Sequence, residues 1–180
     1  TIDPVDGTTN FVNGLPLYAS AIGVLLDGQP VAGAVWCATS HALRPGVYHA
    51  QAGGALRFDG VEVPLGGREA QGRLRRLSTA PAPYKQREPL WDHRGLGAIA
   101  LESAFVAAGV LTSARSVRPY SWDVAPGVVL ARAAGCEVWV RGADRWEPFD
   151  TFEDAATWSR PMLFGDSEAV TSLRVGALAI

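Results

Sequence analysis

The stretch that decides the fold lies at the start of the sequence and reads Asp3-Pro4-Val5-Asp6-Gly7-Thr8-Thr9-Asn10-Phe11. Two carboxylates stand three residues apart, and the backbone carbonyl of Val5 lies between them. Carboxylate and carbonyl oxygens are the ligands that Mg²⁺ prefers in proteins, and Mg²⁺ commonly shares its shell with substrate phosphates. The pattern therefore favours a divalent-cation site built from Asp3, Val5 and Asp6.

Groups suited to phosphate follow the two carboxylates directly. Gly7 allows the backbone to approach a ligand closely, and Thr8 and Thr9 are residue types preferred at helix N-caps. The first N–H groups of a helix face outward and bind anions. The alternative interpretation is a simple tight turn, because Pro, Asp and Gly are all common turn residues. A second motif further along the chain favours the metal site.

The second motif reads Trp122-Asp123-Val124-Ala125-Pro126-Gly127 and continues as an apolar, Ala-rich run. The run predicts a helix that ends at Gly135. Pro126 is predicted in the first turn, where its missing N–H does no harm. Asp123 is then predicted at the helix start, where the helix dipole favours a carboxylate. Alone, Asp123 would be interpreted as an N-cap; with the first motif it supplies a third metal carboxylate.

These motifs resemble the signatures of the inositol monophosphatase-like family of metal-dependent, lithium-sensitive sugar phosphatases. Between them, Arg94-Gly95-Leu96-Gly97-Ala98 resembles the family's R-x-x-G-[ST]-A segment. The resemblance implies an α/β fold, a layered αβαβα sandwich of sugar-phosphatase type, with the N-terminal helical part absent from this chain. Residues 1–79 would form a first antiparallel sheet layer with the first motif. Residues 80–180 would form a second α/β layer with the second motif, in one compact unit.

The resemblance also implies roles for individual residues. Asp3, Asp6 and Asp123 would bind metal with the Val5 carbonyl, and Mg²⁺ would be the cofactor, with Mn²⁺ as a substitute. The catalytic residues would be Asp6 and Thr8, whose hydroxyl would orient the attacking water. The residues implied to contact phosphate or substrate are Gly7, Thr8, Gly97, Ala98 and Ser116.

The sequence departs from the family pattern in two places. Active members carry an upstream Gly-Glu-Glu segment whose glutamate completes the first metal site, and this sequence begins after that point, at Thr1. Inositol-type members usually have a glutamate seven residues before the second-motif aspartate, where this chain has Ser116, flanked by Arg115 and Arg118. We therefore expect a more anionic substrate than inositol monophosphate. The alternative is that both arginines are solvated surface charges.

Composition is ordinary for a globular protein. Of 180 residues, 48% are hydrophobic and 19% charged, and the formal net charge is −2. This balance predicts no nucleic-acid partner, and no apolar run reaches the length of a membrane span. Cys37 and Cys136 are predicted to be buried thiols in a reducing compartment, which favours a cytoplasmic location.

Hydrophobic patterning and turn residues predict alternating strands and helices. The predicted strands cover residues 18–26, 30–37, 47–52, 61–63, 74–79, 110–117, 137–140 and 162–164. Helices are predicted over 97–108, from Asp123 to Gly135 and after Ser167, and residues 80–89 are predicted to be an irregular loop.

Taken together, the sequence predicts a Mg²⁺-dependent phosphatase that hydrolyses a phosphate monoester of a small polyol or related metabolite, acting as a homodimer. Two alternatives within the same class are a bisphosphate nucleotide 3′-phosphatase and a histidinol-phosphate phosphatase. The alternative from another class is a catalytically inert homologue that serves as a binding or scaffold protein.

Overall fold

Two six-stranded sheets enclose a pair of helices in the computed structural model, which describes residues 1–64, 76–79 and 91–176. The helix pair contacts strands of both sheets, so helices and sheets alternate as layers. This is the layered α/β arrangement that the sequence predicts. Within the described ranges, no helix is both long enough and apolar enough to cross a membrane.

The first sheet is antiparallel throughout, and its strands lie side by side in chain order. Its strands are β1 (Ile2–Asp6), β2 (Ala19–Leu26), β3 (Gln29–Cys37), β4 (Gly46–Gln51), β5 (Arg57–Phe58) and β6 (Val61–Glu62), with a short helix α1 (Thr8–Val12) after β1. Asp27 and Gly28 join β2 to β3 with φ values of 51° and 78°. Two successive positive φ values are typical of the tight turns that connect hairpin strands.

The second sheet is mixed, in the order β11-β10-β12-β9-β7-β8, and β7 runs parallel to both β8 and β9. Its strands are β7 (Arg76–Ser78), β8 (Trp91–His93), β9 (Ser113–Ser116), β10 (Glu137–Arg141), β11 (Trp146–Pro148) and β12 (Met162–Gly165). The remaining described helices are α2 (Ile99–Ala107), α3 (Ser121–Ala133) and α4 (Ser167–Gly176).

Helices cover both faces of the second sheet. Met162 and Phe164 of β12 belong to the main core, which includes α2 and α3. Leu163, between them, packs instead with Val170 and Leu173 of α4. Because successive side chains of a strand point to opposite faces, α4 lies on the side of this sheet away from the central helices.

Glycines in the first sheet let α3 lie directly on the backbone of β2 and β3. A Cβ added to Gly33 would lie 2.7 Å from the Cα and carbonyl oxygen of Pro126. A Cβ added to Gly23 would lie 3.1 Å from the Cβ of Ala125. Both contacts are tighter than a larger residue would accept, so small residues at these positions are a packing requirement.

The prediction that Pro126 lies in the first helical turn is wrong. Helix α3 begins at Ser121, so Pro126 is its sixth residue and falls in the second turn. There its missing N–H leaves the carbonyl of Trp122 without the usual helical donor. The backbone of Pro126 lies against Gly33, so the proline is at the contact between the helix and the first sheet.

Most long elements match their predicted positions, and the shortest strands do not. Strands β2, β3 and β4 lie within two residues of the predicted bounds, whereas the strand predicted over residues 110–117 is reduced to β9. Strands β1, β5, β8 and β11 were not predicted, and the loop predicted over 80–89 lies outside the described residues. Cys37 and Cys136 are buried thiols, as predicted.

Replacing Gly33 by alanine tests the contact between β3 and α3. Gly33→Ala should lower the free energy of unfolding by about 1–3 kcal/mol, because the new methyl group overpacks a rigid backbone contact. Gly95→Ala is the matched control, since a Cβ there meets open space, and it should change stability by less than about 0.5 kcal/mol. Urea unfolding followed by tryptophan fluorescence compares the two, and equal stabilities would contradict the close contact.

Candidate active site

Three carboxylates from two separate parts of the chain meet beside the start of α3. Asp3 and Asp6 come from β1, and Asp123 comes from the first turn of α3. Each offers a carboxylate oxygen, and these oxygens all lie within 4.8 Å of one another. The structure therefore brings together the three aspartates that the two motifs single out, and we call them the aspartate cluster.

An irregularity in β1 turns two of these side chains to the same side. Asp3 pairs with Ala21 and Asp6 with Ala19, so β1 has one more residue than β2 over this interval. Residues three apart in a regular strand point to opposite faces, and the extra residue of a bulge corrects that alternation. The Asp-Pro-x-Asp spacing thus serves a shared site only because the strand is bulged here.

Local hydrogen bonds fix the backbone between Asp3 and Thr8. The carboxylate of Asp3 accepts the N–H of Val5 at 3.0 Å. The Thr8 hydroxyl donates to the carbonyl of Val5 at 2.9 Å. A carbonyl oxygen has two lone pairs, so this bond leaves the Val5 oxygen with capacity for one further partner.

Asp6 binds the start of helix α2. Its two carboxylate oxygens accept the backbone N–H groups of Ile99 at 3.0 Å, Ala100 at 2.8 Å and Leu101 at 3.3 Å. The N-cap residue of α2 is Ala98, which has no side chain that could accept them. Asp6 therefore caps a helix that begins 93 residues later in the chain.

Burial changes the acidity of Asp6. The side chain is only 7% exposed, and burial raises its pKa from 3.8 to about 7. The three N–H groups of α2 oppose this shift, while the negative charge of Asp3 adds to it. A buried carboxylate resists ionisation when its surroundings supply too little positive charge.

Asp123 reaches back to the residue before its helix. It is the third residue of α3 rather than its first, and its carboxylate accepts the N–H of Tyr120 at 2.8 Å. Asp123 is 9% exposed, and burial, followed by the charge of Asp3, raises its pKa to about 6. The same side chain thus stabilises the start of α3 and joins the aspartate cluster.

The donor set of the aspartate cluster fits a divalent cation. The carboxylate oxygens of Asp3, Asp6 and Asp123 are hard ligands of the kind that Mg²⁺ and Mn²⁺ take. The pKa values of Asp6 and Asp123 are both raised, in part by their proximity to Asp3. A cation among these oxygens would counter both causes of the raised pKa values, burial, which contributes most, and the negative charge of Asp3.

The residues predicted to contact phosphate come from two loops that touch. Gly7 is the N-cap of α1 with a φ of +80°, so Thr8 and Thr9 lie inside the helix, and their prediction as caps is wrong. A Cβ added to Gly7 would lie 2.8 Å from the Cβ of Ala98. The first motif and the Arg94–Ala98 segment therefore meet at a position where only glycine fits.

Two residues that the sequence analysis did not assign hold the loop before α2. Asn10 donates from its Nδ2 atom to the carbonyls of Leu17 at 2.6 Å and Leu96 at 2.7 Å. The N–H of Gly97 donates to the carboxylate of Glu102 at 3.2 Å, and is therefore already engaged. The sequence signal for Glu102 was a lone carboxylate inside an otherwise apolar helical run, a pattern that usually means a buried hydrogen-bonded group.

Ser116 and Arg115 lie on opposite faces of β9. Ser116 is 6% exposed, and its hydroxyl has no hydrogen-bond partner among the described residues. Arg115 points to the opposite face, where its guanidinium carbon lies 5.9 Å from the centre of the Trp146 ring. The hypothesis that Arg115 faces the substrate is therefore wrong, because Trp146 packs under α4. Arg118 is exposed beyond the end of the strand.

The family assignment follows from comparison with known proteins. The chain matches the model of the Inositol monophosphatase family over residues 1–153. The chain belongs to this family. Inositol monophosphatases are metal-dependent phosphoric monoester hydrolases, and the two motifs that carry the aspartate cluster lie within the matched residues.

Curated relatives in the inositol monophosphatase family carry several names. The chain is 35% identical to a probable inositol 1-monophosphatase ImpA of Mycobacterium tuberculosis over 162 residues, which is 82% of this chain and 58% of that protein. It is 35% identical to a fructose-1,6-bisphosphatase/inositol-1-monophosphatase of Thermococcus kodakarensis over 74% of this chain and 52% of that protein. It is 29% identical to a Nus factor SuhB of Pasteurella multocida over 74% of this chain and 53% of that protein. The chain thus spans about half the length of the curated relatives it matches.

A solved structure shows the same inositol monophosphatase fold. A hypothetical protein from Pyrococcus horikoshii, with similarities to inositol-1 monophosphatase, aligns with a TM-score of 0.75 at 24% identity. The alignment covers 97% of this chain and 68% of that one. The layered arrangement of sheets and helices is therefore shared beyond the motifs themselves.

Asp123→Asn tests the membership of Asp123 in a metal site. The variant keeps an oxygen for the N–H of Tyr120, so α3 should form, but it removes one charge from the aspartate cluster. Mn²⁺ affinity measured by calorimetry should fall at least about tenfold, since even outer partners of metal ligands cost 10–100-fold. Asp144→Asn removes the same charge from an exposed loop and should leave the affinity unchanged. Equal affinities in both variants would mean that Asp123 is only a helix cap.

Proposed function

We propose that the protein is a Mg²⁺-dependent phosphatase that hydrolyses a phosphate monoester of a small polyol or related metabolite. The observation that carries the proposal is the aspartate cluster, whose oxygens converge within 4.8 Å. The contact between Gly7 and Ala98 supports it, because it joins the two loops that the family resemblance assigns to phosphate and substrate. Family membership supports the reaction class.

The metal would be held by Asp3, Asp6 and Asp123, together with the carbonyl of Val5. When bound, Mg²⁺ or Mn²⁺ would neutralise phosphate charge and make a water molecule a better nucleophile at neutral pH. Phosphoryl transfer depends mainly on positioning and charge stabilisation. The chain therefore needs no nucleophilic side chain, and its residues are assigned to binding and orientation.

Thr8 would orient the water that attacks phosphorus. Its hydroxyl proton is directed to the carbonyl of Val5, so the lone pairs of Thr8 Oγ1 stay available to accept a hydrogen bond from the water. Gly7, with its positive φ, and Thr8 stand at the start of α1, where helix N–H groups have no partners within the helix. We assign these two N–H groups to phosphate binding. Asp6 is assigned to the metal site beside the phosphate.

The substrate is proposed to carry a second anionic group. Ser116 lacks the carboxylate that would accept hydrogen bonds from polyol hydroxyls, and its own buried hydroxyl has no partner in the part of the chain that the structure describes. Arg118 is exposed two residues further on, and arginine suits bidentate recognition of phosphate or carboxylate. One relative is named as both a fructose-1,6-bisphosphatase and an inositol-1-monophosphatase, and the first of these names refers to a substrate with two phosphates. Nucleotide bisphosphates and histidinol phosphate are the alternatives.

A binding role without catalysis is the second candidate function. It is favoured by one relative's name, since a Nus factor is named for a role other than phosphate hydrolysis. Two features of this chain stay predictions: a homodimer, from the family resemblance, and a cytoplasmic location, from the buried thiols of Cys37 and Cys136. Turnover of a phosphate monoester separates the catalytic proposal from the binding one.

Chelation tests the metal requirement. Release of inorganic phosphate from a panel of sugar, inositol and nucleotide phosphates should cease in excess EDTA and return with added Mg²⁺ or Mn²⁺, because the aspartate cluster would then hold the cation again. Recovery after re-addition is the control for damage by the chelator. Full turnover after exhaustive chelation would contradict the proposal, and absence of turnover with bound metal would favour the binding role.

Arg118→Ala tests the substrate preference. With a substrate that has two phosphates, kcat/KM should fall. The fall should correspond to a loss of about 1.5–3 kcal/mol of transition-state stabilisation, the value of a charge-assisted hydrogen bond. The value for inositol monophosphate should change little. Arg145→Ala is the control, because Arg145 is exposed on the β10–β11 loop. Clear preference for inositol monophosphate in the wild type, together with no effect of Arg118→Ala, would restore an inositol phosphatase without a second anion site.

A further inference from the structure

A buried carboxylate inside α2 has no role in the reaction as proposed. Glu102 is the fourth residue of this helix and is only 8% exposed. One of its oxygens accepts the hydroxyl of Thr79 at 3.0 Å, and the other accepts the N–H of Gly97 at 3.2 Å. Burial raises the pKa of Glu102, while these two donors lower it. A buried carboxylate is costly unless it is hydrogen-bonded in this way.

The partner of Glu102 lies at the turn that starts the helix. Gly97 has a φ of +74°, a conformation that reverses the chain immediately before α2. The carbonyl of Leu96, the preceding residue, accepts a hydrogen bond from Asn10 at 2.7 Å. Asn10 and Glu102 therefore hydrogen-bond the backbone of consecutive residues of the turn, Leu96 and Gly97.

The direction of this turn decides where the first N–H groups of α2 point. The N-cap, Ala98, has an extended backbone and contributes no capping side chain. The N–H groups of Ile99, Ala100 and Leu101 are instead directed to Asp6. Two carboxylates thus accept the N–H groups at one helix start. Glu102 accepts the N–H of Gly97 in the turn, and Asp6 accepts those of the first three helical residues.

Through Thr79 the same carboxylate is tied to the second sheet. The Thr79 hydroxyl donates to Glu102 and accepts the N–H of Arg115 at 3.3 Å. Arg115 lies in β9, next to Ser116. A continuous series of hydrogen bonds therefore runs from β9 through Thr79 and Glu102 to the turn beside the aspartate cluster.

We propose that Glu102 is a positioning residue: by holding Gly97 it aims the N–H groups of residues 99–101 at Asp6 and so fixes one carboxylate of the aspartate cluster. The consequence for metal affinity rests on the function proposed above. The consequence for the backbone of α2 does not, since it concerns hydrogen bonds that exist without any cation.

Two conservative variants distinguish the effect of the length of the Glu102 side chain from the effect of its charge. Glu102→Gln keeps the length of the side chain and one oxygen for the N–H of Gly97, and its Nε2 can donate to the Thr79 hydroxyl where Glu102 accepts from it. Glu102→Asp keeps the charge but is one methylene too short. Amide hydrogen exchange of Ile99, Ala100 and Leu101, measured by NMR on the protein without metal, should be about tenfold faster in Glu102→Asp, the loss expected for one hydrogen bond. In Glu102→Gln it should stay within about twofold of the wild type.

Ser103→Ala is the matched control. Ser103 is the next residue of α2, equally buried, and its hydroxyl bonds within the helix to the carbonyl of Ala100, so exchange at residues 99–101 should not change. Thr79→Val removes the donor to the other oxygen of Glu102 and should speed the same exchange by about threefold. This variant stays informative if the shortened side chain of Glu102→Asp prevents folding.

Mn²⁺ affinity gives the second readout. It should fall about tenfold in Glu102→Asp and stay near wild type in Glu102→Gln, as for other outer partners of metal ligands. Unchanged exchange at residues 99–101 in both Glu102→Asp and Thr79→Val would overturn the positioning role. A wild type that binds no Mn²⁺ would instead overturn the proposed function, while the exchange result would still decide the role of Glu102.

Discussion

The hydrogen bonds that the first N–H groups of α2 donate to Asp6 are the interaction on which the rest of the site depends. They join the edge strand of the first sheet to the central helix layer through one carboxylate. The positive end of a helix dipole stabilises a negative charge placed there, and this offsets part of the cost of burying it. Three hydrogen bonds to one helix thus restrain the orientation of the Asp6 carboxylate, and fixed orientation is the condition for a precise ligand site.

The close packing of α3 on the first sheet brings the third carboxylate within reach. Gly23 and Gly33 remove the side chains that would separate helix from strands, and the turn at Pro126 lies against them. Asp123 stands three residues before this contact, so the helix start comes down beside β1. Packing density and site geometry are therefore one property of this fold: the same contacts that exclude voids also set the distances among the three aspartates.

The sequence predicted which three aspartates come together better than it predicted what surrounds them. Asp3, Asp6 and Asp123 were identifiable because their residue types and spacing carry chemistry locally. The capping of α2 by Asp6 was not, because its partners lie 93 residues away, and no local pattern reports such a contact. The bulge in β1 was not predicted for a related reason, because it is defined by the pairing of β1 with β2. Arg115 was misplaced because the face of β9 it occupies depends on strand register.

The most direct test of a metal site at the aspartate cluster is a crystal structure of the protein grown with Mn²⁺ and measured at a wavelength where manganese scatters anomalously. We expect an anomalous peak within coordination distance of carboxylate oxygens from Asp3, Asp6 and Asp123. Carboxylates brought this close in a buried setting have a cation as their natural counter-charge. A map with manganese bound elsewhere on the protein and none at these three side chains would contradict the account.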